Sequence, residues 1–194
     1  MNTIDKAFRG AVITATVCMT AMVLWIGYGL QVSSPPTIEV CQLHNATRQG
    51  QVHTVQKLLR EGADVQQHDL LGRSTLHIAA CEGTPTVLSC LLEQKQTKVA
   101  ALDNYQRTPL HWVAKNPRAQ EMIDKLLQQG IDVNAQDRFG MTALHLAAKH
   151  GNLQCVKKLI KEGAGIRTYD RFGNTPYTWA LVNKHKKVAA LLKK

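Results

Sequence analysis

Two residue types capable of chemistry recur in this chain at nearly fixed intervals. His44, His77, His111 and His145 stand 33, 34 and 34 residues apart, and Asp69, Asp103, Asp137 and Asp170 stand 34, 34 and 33 apart. Imidazoles ligate metals and act as general bases, and close carboxylates can share a proton or hold a cation. All of that chemistry needs the groups to converge on one point. Regular spacing does the reverse, because it gives each of several equivalent units one histidine and one aspartate at one structural position. The aspartates open Asp-x-x-Gly turns (Asp69 to Gly72, Asp137 to Gly140, Asp170 to Gly173), where the carboxylate satisfies local backbone N–H groups. Five cysteines, Cys18, Cys41, Cys81, Cys90 and Cys155, show no zinc-like or redox pairing. Cys90 and Cys155 occupy positions that pack inward. The spacing leaves the pairing of Cys41, Cys81, Cys90 and Cys155 open. The chain has no phosphate-cradling glycine loop and no Ser-His-Asp or Cys-His arrangement. It reads as a non-enzyme with no cofactor, metal or small-molecule substrate.

The elements that position these residues repeat with them. The clearest unit runs from Asp137 to Asp170: a tight turn, a short apolar helix from Thr142 to Ala148, a turn at Gly151, a second helix from Leu153 to Ile160, then Gly163-Ala164. Five such units fit residues 38–194, at about 38–68, 69–102, 103–136, 137–169 and 170–194. Thr or Ser before Pro or Thr supplies an N-cap, with proline at the first helical position in Thr108-Pro109 and Thr175-Pro176. The turn glycines supply a φ > 0 position, although Gln106 stands where one is expected. Each helix pair has one apolar face too small to sustain itself, so stacked neighbours must bury a shared core.

A period near 33 with Thr108-Pro109-Leu110-His111, paired short helices and Gly62-Ala63-Asp64-Val65 closely resembles the ankyrin repeat. The resemblance covers about 155 of the 194 residues. It implies an all-α solenoid of helix-turn-helix units with β-turn fingers. It also implies that the recurrent histidine is structural, bonding to the cap threonine and to backbone. Proteins resembling this family act mostly by binding other proteins through the finger tips and the exposed ends of the first helices. Carried onto this chain, that surface comprises Arg73, Tyr105, Arg107, Arg138, Phe139, Met141, Lys149, His150, Arg171 and Phe172. Tyr105, Phe139 and Phe172 form a ladder on successive tips, and aromatics with arginine are the types enriched among interface hot spots. The same aromatics could equally pack on the next turn. Asn45-Ala46-Thr47 is formally a glycosylation sequon, but Asn45 falls at a helix position expected to be packed.

Charge is unevenly distributed. Basic and acidic side chains cancel through residue 137, whereas residues 138–194 hold twelve basic side chains against Glu162 and Asp170. The lysines of the second helices, Lys157, Lys158, Lys161 and those from Lys184 to Lys194, are expected to face outward. They form either a solvated cap or a surface attracting an acidic partner or anionic lipid. The concave partner is expected to be a protein of acidic or mixed charge, not a nucleic acid.

Ahead of the array, Gly10 to Leu30 is uncharged, follows Lys6 and Arg9, and carries Trp25 and Tyr28 near its far end. A helix of that length spans a bilayer core, and the flanking charge places residues 1–9 in the cytoplasm. Two readings fit, an uncleaved signal-anchor or a cleavable signal peptide, with 31–37 as linker. Either puts the 38–194 domain outside the cytoplasm, at a bacterial inner membrane or free in the periplasm. Small exported ankyrin proteins include immunity proteins against antibacterial phospholipase toxins and protective partners of enzymes such as catalase. A cytoplasm-facing, membrane-tethered scaffold is the opposite orientation of the same segment.

Overall fold

The computed structural model describes residues 38–193 except Pro117, with side chains from Gln42 onward. The Gly10–Leu30 segment lies outside the described residues, and among those described no helix is long and apolar enough to cross a membrane. The described helices form five pairs: α1 (Ile38–Arg48) with α2 (Val52–Arg60), α3 (Thr75–Glu82) with α4 (Pro85–Leu92), and α5 (Pro109–Val113) with α6 (Ala119–Gln128). The array continues with α7 (Ala143–His150) and α8 (Leu153–Lys161), then α9 (Pro176–Val182) and α10 (Lys186–Leu192). First helices pack on first helices and second helices on second helices, so the array has two layers. Leu76, Leu110 and Leu144 fill one side of the shared core, and Leu91, Leu126 and Leu159 the other.

The first helices are too short to be stable alone, and each is fixed at its start. Thr142 donates its backbone N–H to Nδ1 of His145 at 3.1 Å, and Nε2 of the same ring reaches the carbonyl of Asn174 in the next unit at 3.2 Å. Ser74 with His77 and Thr108 with His111 repeat the arrangement, their Nε2 atoms meeting the carbonyls of Arg107 and Met141. A ring accepting at Nδ1 and donating at Nε2 is neutral. Burial accordingly lowers the pKa of all three, and takes His44 down to about 4. His77, His111 and His145 are therefore helix caps and inter-unit ties, as the resemblance implied. In the fifth unit Thr178 replaces the ring and donates its N–H to Thr175 Oγ1.

A second set of ties was not anticipated. Asn116 donates Nδ2 to the carbonyls of Ala80 and Gly83, and Asn152 to those of Ala114 and Asn116. His185 continues the series with Nε2 against the Lys149 carbonyl at 3.1 Å. Each side chain thus satisfies helix-end carbonyls of the preceding unit.

The turn before α5 forms without its glycine. Gln106 takes φ 59°, where Gly72, Gly140 and Gly173 take 73°, 76° and 75°. Asn45 departs from expectation: it is half-buried on α1, and its Oδ1 accepts from Gln49 Nε2.

Candidate protein-binding surface

Each finger is built on its aspartate. Asp137 Oδ1 accepts the N–H groups of Phe139 and Met141, both at 2.9 Å, and Asp103 and Asp170 make the equivalent pairs. Fingers are tied in series, with Arg138 N donating to Tyr105 O and Arg171 N to Phe139 O, both at 2.9 Å. The second carboxylate oxygens are also taken. Asp103 and Asp170 accept the indole N–H of Trp112 and Trp179 at 3.0 and 2.8 Å. Asp137 accepts Arg107 Nε at 3.1 Å, and Asp69 accepts Arg73 Nε at 2.7 Å. Burial pushes the Asp170 carboxyl up, but the bonds from Asn174, Trp179 and Phe172 outweigh it and leave the pKa below the ordinary value. Asp69 and Asp137 are thus offset by arginine, while Asp103 and Asp170 keep their charge with the second oxygen turned to a neutral indole N–H.

The cations divide into two groups. Arg73 is nearly enclosed, paired with Asp69 and Glu82 and lying 5.0 Å from the Trp112 ring. Arg107 is held by Asp137, whose side chain is fully buried. Arg138 makes no ion pair among the described residues and lies over Tyr105 and Phe139 at 5.7 and 5.6 Å. Lys115 covers Trp112 at 5.3 Å and Lys149 covers Trp179 at 4.6 Å. Cations held over ring faces gain about 0.5–1 kcal/mol at exposed sites. Their side chains are thereby partly ordered before any partner arrives.

The aromatic ladder is half formed. Tyr105 and Phe139 stack with centroids 6.2 Å apart, and both are half-buried. Phe172, on the last finger, is 69% exposed. Arg171 beside it is exposed, as is His150 at the end of α7. Burial lowers the His150 pKa, followed by the charges of Lys115, Lys149, His185 and Arg107.

Three expectations are corrected. Met141 is not surface: it is 5% exposed, because the residue after the turn glycine packs inward and its carbonyl receives His111. Arg73 and Arg107 hold the fingers together instead of projecting from them. On the opposite face Lys158 is folded back onto Asp124 and Glu162, while Lys157, Lys161, Lys186 and Lys187 are exposed. Trp112 and Trp179 were missed. The signal was present, since both stand nine residues after their turn aspartate, where the fourth unit has Leu146. Cys90 and Cys155 are buried, as expected, and Cys81 is half-buried; all three are free thiols. Burial pushes the Cys155 thiol up to about 12 and raises that of Cys81.

Stacked helix pairs with serially tied fingers and one cationic, aromatic face define a repeat solenoid. The family model described as ankyrin repeats (3 copies) matches residues 43–137 and 114–194, and the chain belongs to the ankyrin-repeat family. It is similar to the nuclear factor NF-kappa-B p105 subunit of Gallus gallus, 37% identical over 113 residues. It is also similar to neurogenic locus notch homolog protein 2 of Homo sapiens, 34% over 128 residues, and protein 1 of Xenopus laevis, 33% over 111. These matches cover 57%, 66% and 57% of this chain but only 12%, 5% and 4% of the relatives' lengths. The array is a protein-binding module.

Proposed function

We propose that the chain is a non-enzymatic binding module whose finger and first-helix face in the third to fifth units receives an acidic protein partner. The observation that carries this reading is the asymmetry of that face: Arg138 and Lys115 make no ion pair among the described residues, whereas every turn aspartate there is already bonded. Rigid-surface recognition with charge complementarity speeds encounter and selects the partner, and no turnover is required. The residues that engage the partner are Arg138, Phe139, Lys149, His150, Arg171 and Phe172, with Lys115. The test is capture of the native partner by the double variant Arg138→Glu/Arg171→Glu, alongside Lys157→Glu/Lys161→Glu on the other face. Loss in the first and retention in the second is the expected result. The opposite pattern moves the site to the second helices.

The address we propose is non-cytoplasmic, with the array anchored or exported through Gly10–Leu30. This is supported by the uncharged run and by the basic residues Lys6 and Arg9 before it. An antibacterial phospholipase toxin, neutralised in the periplasm, is a partner suited to that address. A reporter active only in the cytoplasm, fused after Lys194, separates this reading from a cytoplasm-facing scaffold. Activity there supports the scaffold and overturns export.

A further inference from the structure

Between the first-helix ends of the third and fourth units lies a shallow cleft of about 450 Å³, lined by Ala114, Lys115, His150 and Asn152. Asn152 has no donor left to offer a ligand. Its amide N–H groups go to the Ala114 and Asn116 carbonyls, and its Oδ1 accepts the N–H of Cys155. The side-chain groups left to meet an occupant are the Lys115 ammonium and the His150 imidazole. Lys115 rests on Trp112 and makes no ion pair among the described residues. The charges bearing most on His150 are all basic: Lys115 after α5, Lys149 on α7, His185 before α10, and Arg107 on the finger. The nearby carboxylates of Asp103, Asp137 and Asp170 are bonded within the fingers, and Glu82 is paired with Arg48 and Arg73.

We propose that this cleft is a carboxylate subsite, seating one Asp or Glu side chain of the partner between Lys115 and His150, and that proton uptake by His150 couples docking to pH. The proposal rests on the acidic-partner reading above and names where one of the partner's charges sits. The donor set favours a carboxylate over a phosphate group. Phosphate oxygens are best met by several convergent donors, typically an arginine fork or a helix N-terminus; no arginine lines the cleft, and the helix start at its edge, that of α8, is already capped by Asn152, whose Oδ1 accepts the Cys155 N–H.

The sign of the coupling follows from the charges. In the free protein, burial and four basic neighbours disfavour the imidazolium. A carboxylate arriving within about 4–6 Å favours it, so docking raises the His150 pKa and takes up a proton. Affinity then increases as pH falls through the bound-state pKa, and levels off once the free protein is also protonated. The gain is about tenfold for each unit by which docking raises the pKa. Lys115, Lys149 and Arg107 stay charged throughout, and a peptide carboxylate is not protonated until about pH 4. His185 is a second imidazole among these neighbours, so a variant at His150 is needed to separate the two.

The experiment uses the full chain and an end-blocked peptide of alternating Glu and Gly, with a Gln twin as control. The His150 ring is titrated by NMR with and without peptide, and affinity is measured at about pH 7.5 and 5.5, on either side of the ordinary imidazole pKa. The expected result is an upward shift of the His150 titration with the Glu peptide alone, and several-fold tighter binding at the lower pH. His150→Gln should flatten that pH dependence, leaving nearly equal affinities at the two pH values. Lys115→Ala should weaken binding at both.

Glu-peptide binding with an unmoved His150 titration, or an unchanged pH slope in His150→Gln, overturns the subsite while leaving the acidic-partner reading intact. Equal binding of the Gln twin overturns both. Inorganic phosphate that shifts His150 more than the peptide does, and displaces it, makes the cleft a phosphate site and overturns the carboxylate assignment. Capture of the native partner by Arg138→Glu/Arg171→Glu tests the wider surface independently of His150.

Discussion

The second and third units and the fourth and fifth units carry the same residue types on the same face, yet use them differently. In the former, Arg73 and Arg107 stand four residues after their aspartates, close on Asp69 and Asp137, and flank the ring of Trp112. In the latter, Arg138 and Arg171 stand one residue after theirs. Their N–H groups tie one finger to the next, and Arg138 makes no ion pair among the described residues. A shift of three positions within one turn separates a cation that holds the scaffold from one that the scaffold presents. The middle of the array is acid–base balanced and closed, and its C-terminal part is basic and open.

The largest effect that could break this contrast is at the two tryptophans. Trp112 is 8% exposed and bonded to Asp103, whereas Trp179 is half-buried with the same bond to Asp170. Trp112→Ala should lower stability by about 3–5 kcal/mol, since it both empties the site and strands a buried carboxylate oxygen. Trp179→Ala should lose clearly less, and denaturant unfolding measures both. Equal losses would mean that the C-terminal part is as closed as the middle.

Acid sharpens the contrast between ring types. His44 falls from 6.5 to about 4 in the fold, so the unfolded chain binds its proton first. That contribution is fully present above pH 6.5 and is lost as pH falls toward 4. The loss from His44 alone should reach about 2 kcal/mol by pH 5. His77, His111 and His145 add to it in the same direction. Unfolding free energy should be flat above pH 7 and fall below 6.5, and His44→Gln should reduce that slope. An unchanged slope would show that the ring is not held neutral.

The array itself was legible because its signals are local and repeated. A cap, a turn glycine and an apolar helix face each announce themselves within one unit, and five copies fix the register. The binding face was only partly legible. The exposure of Arg138, Arg171 and Phe172 follows from their tip positions, but Met141 was placed outside although it packs inward. Arg73 and Arg107 were ranked with the presented cations because their counter-charges lie across a turn or in the next unit. The ties made by Asn116 and Asn152 escaped for the same reason, since their carbonyl partners belong to the preceding unit. Sequence shows what a residue does within its turn, and says little about what it meets one unit away.

Arginine substitutions test that lesson at intermediate size. Arg107→Ala leaves Asp137, with its fully buried side chain, short of a charged hydrogen-bond partner, and should cost about 1.5–3 kcal/mol. Arg138→Ala should stay within about 0.5 kcal/mol, as surface changes usually do, while weakening capture of the partner. Thermal unfolding and a binding assay on both variants read the two axes separately. A stable Arg107→Ala variant with lost binding would place Arg107 among the presented cations after all.

The smallest effect concerns the turn that differs between the third and fourth units. Gln106 holds φ 59° where Gly140 holds 76°, and a side chain in that region costs roughly 1–2 kcal/mol relative to an unstrained backbone. Replacing it with glycine removes the strain but gives the unfolded chain more freedom to lose, a penalty of roughly 0.5–1 kcal/mol. Gln106→Gly should therefore stabilise the array by about 0.5–1 kcal/mol, seen as a small rise in Tm. The Gln106 side chain is exposed, so no buried contact is given up. The same substitution logic run backwards is harsher at Gly140. There a Cβ would come within 3.0 Å of the Arg171 backbone nitrogen, the atom that ties the fourth finger to the fifth. Gly140→Gln should thus lose more than Gln106→Gly gains, and should disturb the presented Arg171 as well. The third finger tolerates a side chain at this position, whereas the fourth depends on glycine for its neighbour's approach, as does the second, where a Cβ on Gly72 would come within 2.8 Å of the Asn104 backbone nitrogen.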